Sequence, residues 1–250
     1  MTRLFINVCL SVGDEYEITG EDARYLSGVL RMRTGEQLTI VNQNRDEYLC
    51  EVIGFDKKSV TVSVVNRNIN ASEPPFKAVL YQSVSKGERM DYTIQKSVEL
   101  GVSEIVPVFS ERCVVRQENG KSSKLERWQK IAEEAARQSG RGIVPVISEP
   151  LSFDTAIKRA GDGDVTLFAW EEEKDKSLKQ LLHEFHARLG EQNELPIINI
   201  FIGPEGGYSS EEAVKAENEG FTPVTLGPRI LRTESAAPCV LSMLIYEFEL

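Results

Sequence analysis

Two loops that combine glycine with proline, each directly after an apolar run, constrain this sequence most strongly. The first loop, 203–207, reads Gly-Pro-Glu-Gly-Gly and follows the run Asn-Ile-Phe-Ile at 199–202. The second begins at Gly227, after Val-Thr-Leu at 224–226, and continues with Pro, Arg, Ile, Leu, Arg, Thr and Glu. Each Gly-Pro turn ends a predicted strand, which is where ligands commonly bind in parallel α/β sheets. Glycine also lets backbone amides approach a ligand closely, so two such loops favour a ligand site over two ordinary strand-to-helix turns.

The composition is that of a globular protein with an acidic balance. The chain has 250 residues, of which 41% are hydrophobic and 27% charged, and its formal net charge is −10. This charge argues against a protein that coats nucleic acid through bulk electrostatics, so a nucleic-acid partner needs locally clustered basic residues. No apolar run is long enough to cross a bilayer, and the first residues resemble no signal peptide. We therefore expect a cytoplasmic protein with no membrane partner.

Cysteine and histidine form no metal-binding pattern. No two of the four cysteines form a C-x-x-C pair, and the chain has only two histidines; these residues are Cys9, Cys50, Cys113, Cys239, His183 and His186. Scattered cysteines among apolar neighbours are typical of reduced, buried thiols. We expect no metal ion.

The N-terminal part of the chain is predicted to be mostly β-structure. Short, β-branched and partly alternating runs at 37–41, 47–53 and 59–65 predict strands, and 21–30 carries the one helical signal. This set suggests a small closed barrel. A segment without periodicity, 66–75, ends in two prolines and is the best candidate for a linker. We therefore predict two domains, 1–70 and 76–250.

The remainder of the chain alternates between predicted strands and helices. Strands are expected at 78–81, 104–109, 143–147, 165–170, 197–202 and 223–226. Ser209 to Glu212 has the pattern of a capping box and predicts the start of one helix. Alternation of this kind predicts a mostly parallel sheet that is covered by helices on both sides.

The residues of the two late loops limit the kinds of ligand that they can bind. Neither a phosphate-binding Gly-Lys-Ser/Thr pattern nor the dinucleotide fingerprint follows the glycines. Glu205 in the first loop suits a neutral or cationic ligand better than a polyphosphate. In the second loop Arg229 and Arg232 flank Ile230 and Leu231, which suits an adenosine-like ligand with an anionic partner nearby.

Arginines gather in two other places. Arg31 and Arg33 follow the early predicted helix, and further basic residues lie between Arg112 and Arg141. Acidic residues are interspersed in the middle region, so a solvated face of mixed charge explains much of it. The polar cluster Gln-Ser-Gly-Arg at 138–141 either caps the preceding helix or touches a substrate, and its spacing fits both.

The motifs together resemble the RsmE family of SPOUT methyltransferases. The resemblance runs through the whole chain in six ordered motifs: 29–36, 86–102, 110–112, 134–141, 203–207 and 226–237. It implies transfer of a methyl group from S-adenosylmethionine (SAM) to N3 of a uridine in 16S ribosomal RNA. It also implies a homodimer that acts on 16S rRNA or on the small ribosomal subunit.

The resemblance implies a particular fold and cofactor site. The fold is an N-terminal PUA-like, RNA-binding β-barrel followed by a SPOUT α/β domain with a deep C-terminal trefoil knot, formed by 167–171, 202–207 and 226–233. The expected SAM-binding residues, mostly through backbone groups, are Ile202, Gly203, Glu205, Gly206, Gly207, Leu226, Gly227, Ile230, Leu231 and Arg232.

Uracil N3 carries a proton that ionises well above neutral pH, so methylation requires help with its removal. Arg232 is our candidate for stabilising negative charge on the uracil oxygens, although it could instead brace the knot. Glu234 or Glu205 could accept the proton directly or through water, or each could instead hold Arg232 or a backbone amide, and the sequence leaves these alternatives open. Contacts to RNA phosphates are expected from Arg31, Arg33, Arg112 and Arg141.

Two rival functions follow from the same residues. A catalytically silent RNA-binding protein would keep the knotted scaffold, the barrel and the arginines. A nucleotide hydrolase could use the glycine loops, but the sequence offers it neither a phosphate-binding lysine nor an obvious metal cluster.

Overall fold

The computed structural model describes residues 2–115, 121–189 and 194–250. The chain divides into two compact units. The first comprises Met1–Glu73 and Ala136–Val144, and the second comprises Pro74–Ala135 and Pro145–Leu250. Ala136–Val144 therefore belong to the first unit, although they lie within the predicted second domain, 76–250.

The first unit is built on one five-stranded sheet. Its strands are β1 (Arg3–Ile6), β2 (Glu15–Thr19), β3 (Gln37–Asn42), β4 (Asp46–Phe55) and β5 (Ser59–Ile69). The order across the sheet is β1-β3-β4-β5-β2, with β1 parallel to β3 and the other pairs antiparallel. Helix α1 (Gly20–Arg24) continues into a π-helical turn, Tyr25–Val29, at the position of the predicted early helix.

The sheet of the first unit curls around a single hydrophobic core. Each of the five strands contributes at least one buried side chain to it: Leu4, Ile18, Leu38, Ile40, Tyr48, Cys50, Val52, Val60, Val62 and Val64. Alternate residues of a strand point to opposite faces, so the period-two pattern of β4 and β5 places one row of side chains inside. The short β1 and β2 carry too few residues to show that pattern, and sequence analysis did not delimit them.

The predicted linker 66–75 is wrong over its first four residues. Residues 66–69 continue β5 and pair with the start of β4. An ion pair fixes this extension, because the Arg67 guanidinium lies 2.8 Å from the carboxylate of Asp46. Asn42 donates a second hydrogen bond to the same carboxylate at 2.9 Å. The bond from Arg67, with help from Asn42, lowers the pKa of Asp46.

The second unit contains a seven-stranded sheet. Its strands are β6 (Lys77–Ser83), β7 (Glu104–Phe109), β8 (Val146–Ile147), β9 (Leu151–Ser152), β10 (Val165–Ala169), β11 (Ile197–Ile202) and β12 (Thr222–Val224). The order is β12-β10-β11-β6-β7-β8, and β9 also pairs with β7. Every pair is parallel, which confirms the sheet type predicted from the alternation. The predicted strand 143–147 is shorter than expected, since only its last two residues form β8.

Helices connect these strands. They are α2 (Glu88–Glu99), α3 (Lys121–Ser139), α4 (Phe153–Arg159), α5 (Leu178–Arg188), α6 (Ser210–Asn218) and α7 (Thr233–Phe248). The predicted capping box is confirmed: the Ser209 side chain accepts a bond from the Glu212 amide, and the Glu212 carboxylate accepts one from the Ser209 amide. Among the residues that the structure describes, no helix is both long enough and apolar enough to span a bilayer.

Stacked aromatic side chains fill the core of the second unit. Tyr81 of β6 stacks on Phe201 of β11 with ring centroids 4.4 Å apart, and Phe168 of β10 stacks on Tyr208 at the same distance. The Tyr208 ring also lies against the backbone of Gly203, since a Cβ there would come within 3.3 Å of the ring. The aromatic core thereby supports the loop that follows β11.

Candidate cofactor and active site

Three neighbouring strands end at one edge of the parallel sheet. β10 pairs in parallel with β11 on one side and with β12 on the other, so the loops that follow these strands converge. Together they enclose a cavity of about 810 Å³. This volume is suited to a small organic ligand. The lining residues include Trp170, Glu171, Glu173, Ile202, Gly203, Glu205, Gly207, Leu226, Gly227, Ile230, Leu231, Arg232 and Glu234.

The cavity brings together every predicted cofactor residue except Gly206. Gly206 faces the loop after β7, where a Cβ would lie 3.2 Å from the Cβ of Arg112. Its carbonyl accepts a hydrogen bond of 3.0 Å from the Arg112 guanidinium. The contact between Gly206 and Arg112 therefore stabilises the first loop outside the cavity lining. Arg112 is exposed, so this structural contact adds to the RNA contact predicted for it.

The Thr233 hydroxyl ties the cavity together. It donates a 2.7 Å hydrogen bond to the carbonyl of Gly203 and accepts one of 2.9 Å from the side-chain amide of Gln82. Gln82 is completely buried and Thr233 is 5% exposed. One hydroxyl thus joins the end of β6, the first glycine loop and the first residue of α7.

Two glycines of the loops have backbone conformations that other residues rarely adopt. Gly207 has φ +67°, and a Cβ there would lie 2.8 Å from a carboxylate oxygen of Glu171. Gly227 has φ +111°, and apart from its two chain neighbours no described residue has an atom within 4 Å of where its Cβ would be. Both φ values lie in the left-handed region that favours glycine. Backbone conformation therefore favours glycine at these two positions.

A cluster of four charged side chains lies at the cavity wall. Arg89, near the start of α2, donates a 2.8 Å hydrogen bond to Glu205. The Arg89 Nε lies 3.8 Å from the Glu234 carboxylate, and the same carboxylate oxygen lies 3.9 Å from Nη1 of Arg232. The order of contacts is therefore Glu205, Arg89, Glu234, Arg232.

The surroundings of Glu205 make its carboxylate a weak base. Burial raises its pKa, but the backbone amides of Glu205 and Lys86 and the guanidinium of Arg89 outweigh burial, so the pKa is lowered overall. Glu234 has no hydrogen-bonding partner within 3.5 Å among the described residues, and its side chain is 17% exposed. Glu205 is therefore held by hydrogen bonds, whereas the Glu234 carboxylate accepts none among the described residues.

Sequence reasoning missed Arg89 and Trp170. Arg89 belongs to the motif 86–102, but its distance in sequence from both late loops concealed its place at the cavity. Trp170 follows β10 directly, and its indole N–H is buried without a hydrogen-bond partner among the described residues. Glu171, the first charged residue after the apolar run of β10, was the available signal for the third loop.

The three predicted RNA-contact arginines of the first unit differ in environment. Arg31 and Arg33 are exposed, and Arg31 has φ +52°, an uncommon conformation for a residue other than glycine. Arg141 is only 3% exposed, and its guanidinium lies 2.5 Å from the carboxylate of Glu73. A buried, paired guanidinium is poorly placed to meet a phosphate. The Arg141 amide donates a hydrogen bond to the carbonyl of Ala136, which supports the capping alternative, and its buried guanidinium does not support an RNA contact.

Comparison with known proteins places these features in a family. A family model described as an RNA methyltransferase domain matches residues 72–245, and one described as an RNA methyltransferase PUA domain matches residues 18–65. The chain is 34% identical to ribosomal RNA small subunit methyltransferase E of Bacillus subtilis, over 100% of this chain and 98% of that protein. This chain belongs to the RsmE family. The protein of the same name from Buchnera aphidicola is 32% identical, over 97% of this chain and 92% of its own length.

A solved structure agrees with this membership. The ribosomal RNA small subunit methyltransferase E of Neisseria gonorrhoeae, bound to S-adenosyl methionine, superposes with a TM-score of 0.84 at 31% identity. The match covers 98% of this chain and 97% of that one. The RsmE family expected from the six motifs is therefore confirmed.

The bond network at Thr233 generates the first testable prediction. Thr233→Val keeps the shape of the side chain but removes the donor to Gly203 and an acceptor for Gln82. We expect the free energy of unfolding to fall by about 1–3 kcal/mol, the cost of leaving buried polar groups unpaired. Urea unfolding followed by tryptophan fluorescence measures this, because Trp128 and Trp170 both belong to the second unit.

Ser242→Ala is the matched control for this measurement. Ser242 is exposed on the same helix, and within the described part of the chain its hydroxyl bonds only to the carbonyl of Pro238 one turn earlier. We expect its unfolding curve to stay close to that of the wild type. Equal stability of Thr233→Val and Ser242→Ala would show that the Thr233 network does not hold the cavity together.

Proposed function

We propose that this protein transfers the methyl group of SAM to N3 of a uridine in 16S ribosomal RNA, acting on the small ribosomal subunit in the cytoplasm. The observation that carries the proposal is the cavity formed by the three loops, in a chain of the RsmE family. The SAM-bound relative from Neisseria gonorrhoeae supports the choice of cofactor.

The residues of the cavity fit SAM. The wall combines apolar side chains, such as Leu226 and Leu231, with the carboxylates of Glu171 and Glu234. SAM is a cation at sulfur with an adenosine at one end and an amino group at the other, so it can use both kinds of surface. The buried indole N–H of Trp170 offers a further unused donor. SAM, when bound, supplies an electrophilic methyl group.

The first step required of the protein is control of the uracil proton. Glu234 lies in the first turn of α7, and no described donor occupies its carboxylate within hydrogen-bond distance. We infer that it accepts the N3 proton directly or through water. Glu205 is held by Arg89 and by the amide of Lys86, and we assign it to positioning the first loop.

The second requirement is stabilisation of the negative charge that spreads onto the uracil oxygens. The Arg232 side chain is 80% exposed and lines the cavity. Its backbone caps α7, where its carbonyl accepts bonds from the amides of Ser235 and Ala236. The backbone is thus fixed while the guanidinium remains free to meet the substrate, which suits a cation that stabilises the oxyanion.

RNA recognition must depend on local positive charge, because the chain as a whole is acidic. We propose that Arg31 and Arg33 of the first unit contact phosphates. Both are exposed, and the Arg33 backbone amide, not its guanidinium, donates the hydrogen bond to the Glu36 carboxylate at this turn. Arg112 is a further candidate from the second unit.

Two finer features belong to the same proposal. We propose that the segments 167–171, 202–207 and 226–233 form a deep trefoil knot.

We also propose a homodimer, which is supported by large exposed apolar side chains on helices that pack together: Tyr92 on α2, and Met243 and Tyr246 on α7. The catalytically silent alternative predicts the same fold without SAM binding.

Gly227 provides the test of the cofactor site. Gly227→Ala places a methyl group in the open cavity and should abolish measurable SAM binding in calorimetry. Gly220→Ala is the matched control, because Gly220 also has positive φ, +82°, and open space around its Cβ, but lies outside the cavity lining. Both variants carry comparable backbone strain, so equal SAM affinities would remove the assignment, and a wild type that binds no SAM would favour the silent alternative.

Arg232 provides the test of the chemistry. We expect Arg232→Ala and Arg232→Lys to bind SAM but to transfer methyl about 100- to 1,000-fold more slowly, the scale of a lost oxyanion donor. The assay uses labelled SAM and small ribosomal subunits that lack the modification, followed by nucleoside analysis for 3-methyluridine. Near-normal turnover in Arg232→Ala would contradict the mechanism, and label in another nucleoside would contradict the N3 assignment.

The exposed arginines of the first unit provide the test of RNA binding. Arg31→Gln with Arg33→Gln should weaken RNA binding and lower its salt dependence by about one phosphate contact per arginine. SAM affinity should be unchanged. Lys57→Gln with Lys58→Gln removes two charges from the turn between β4 and β5 of the same unit. An equal loss in both double variants would mean that binding is not localised at Arg31 and Arg33.

A further inference from the structure

Arg89 lies between two carboxylates at the wall of the cavity. Its Nη1 is hydrogen-bonded to Glu205 at 2.8 Å, and its Nε is 3.8 Å from Glu234. It comes from the first turn of α2, which begins after Gly87 at φ +65°. It therefore reaches the late loops from a distant part of the sequence.

The four charges of the cluster are balanced in number but not in environment. Glu205 and Glu234 are mostly covered, with side-chain exposures of 23% and 17%, whereas Arg232 is 80% exposed. Arg89 is intermediate at 44%. The covered carboxylates attract any cation within reach, and Arg232 is the second cation within reach of Glu234.

We propose that Arg89 is a positioning residue that keeps Arg232 available for the substrate. Arg89 engages Glu205 and shares Glu234, so neither carboxylate holds the Arg232 guanidinium in a close ion pair away from the substrate. Arg232 and Glu234 are 3.9 Å apart, which is beyond hydrogen-bond distance. This separation is what we expect if Arg89 shares the charge of Glu234. The inference rests on the proposed function, in which Arg232 stabilises charge on the uracil.

Loss of Arg89 leaves two carboxylates facing one guanidinium. Opposite charges in a partly covered site attract more strongly than in water, so Arg232 would pair closely with Glu234 or Glu205. A guanidinium held in that pair is displaced from the uracil oxygens, and a displacement of about 1 Å can reduce a rate by about 100-fold. Glu234 would also lose its freedom to accept a proton.

A second substitution distinguishes the proposed role of Arg89 from a purely structural one. If Arg89 only ties α2 to the first loop, Arg89→Met and the double variant Arg89→Met with Glu205→Gln lose the same tie and should be equally impaired. If Arg89 protects Arg232, removal of the Glu205 charge removes one competitor, and the double variant should be faster than the single one.

The experiment measures kcat and KM for methyl transfer to small ribosomal subunits, together with SAM affinity by calorimetry. We expect Arg89→Met to lower kcat about 10- to 100-fold with little change in SAM affinity, and the double variant to regain at least about a third of that loss on a logarithmic scale. Arg89→Lys, which keeps the cation, should lose less than Arg89→Met, and it keeps the test informative if the Met variant fails to fold.

Arg127→Met is the matched control. Arg127 forms an ion pair of 2.7 Å with Asp91 of the same helix α2, outside the cavity lining, so its loss should leave kcat unchanged. A wild-type kcat in Arg89→Met, or a double variant no faster than the single one, would overturn the inference alone. A wild-type protein that transfers no methyl would contradict the proposed function and this inference with it.

Discussion

The second unit depends on the hydroxyl of Thr233. A parallel sheet aligns the carboxyl ends of its strands, but alignment alone leaves the loops free to move apart. Thr233 prevents this, because it binds the Gly203 carbonyl and the buried amide of Gln82 at once. Its place at the first residue of α7 means that the same hydroxyl also fixes where Arg232 and Glu234 enter the cavity. The position of the reactive side chains follows from one buried polar contact.

Local sequence signals predicted much of the fold. The capping box at Ser209, the alternation of β4 and β5 and the apolar run of β11 are each encoded within a few residues. The short strands β1 and β2 depend on pairing with distant partners, and so does the extension of β5 through residues 66–69, which an ion pair to Asp46 stabilises. Sequence periodicity does not contain that information.

The candidate site shows the same division. Glycine-rich loops are recognisable in the sequence, and all of the predicted cofactor residues except Gly206 line the cavity. Side-chain direction was not predictable, so Gly206 faces Arg112 and the guanidinium of Arg141 is buried against Glu73. Arg89 was missed because its partners lie more than a hundred positions further along the chain. Charge clusters assembled from distant segments require coordinates.

The central claim is that the loops after β10, β11 and β12 form the SAM site. Amide hydrogen exchange with and without SAM tests it without any substitution. If these three loops form the site, SAM should slow amide exchange in 170–174, 202–207 and 225–231 and leave β3 to β5 of the first unit unchanged. SAM-dependent protection located elsewhere, with exchange in all three loops unchanged, would contradict this assignment.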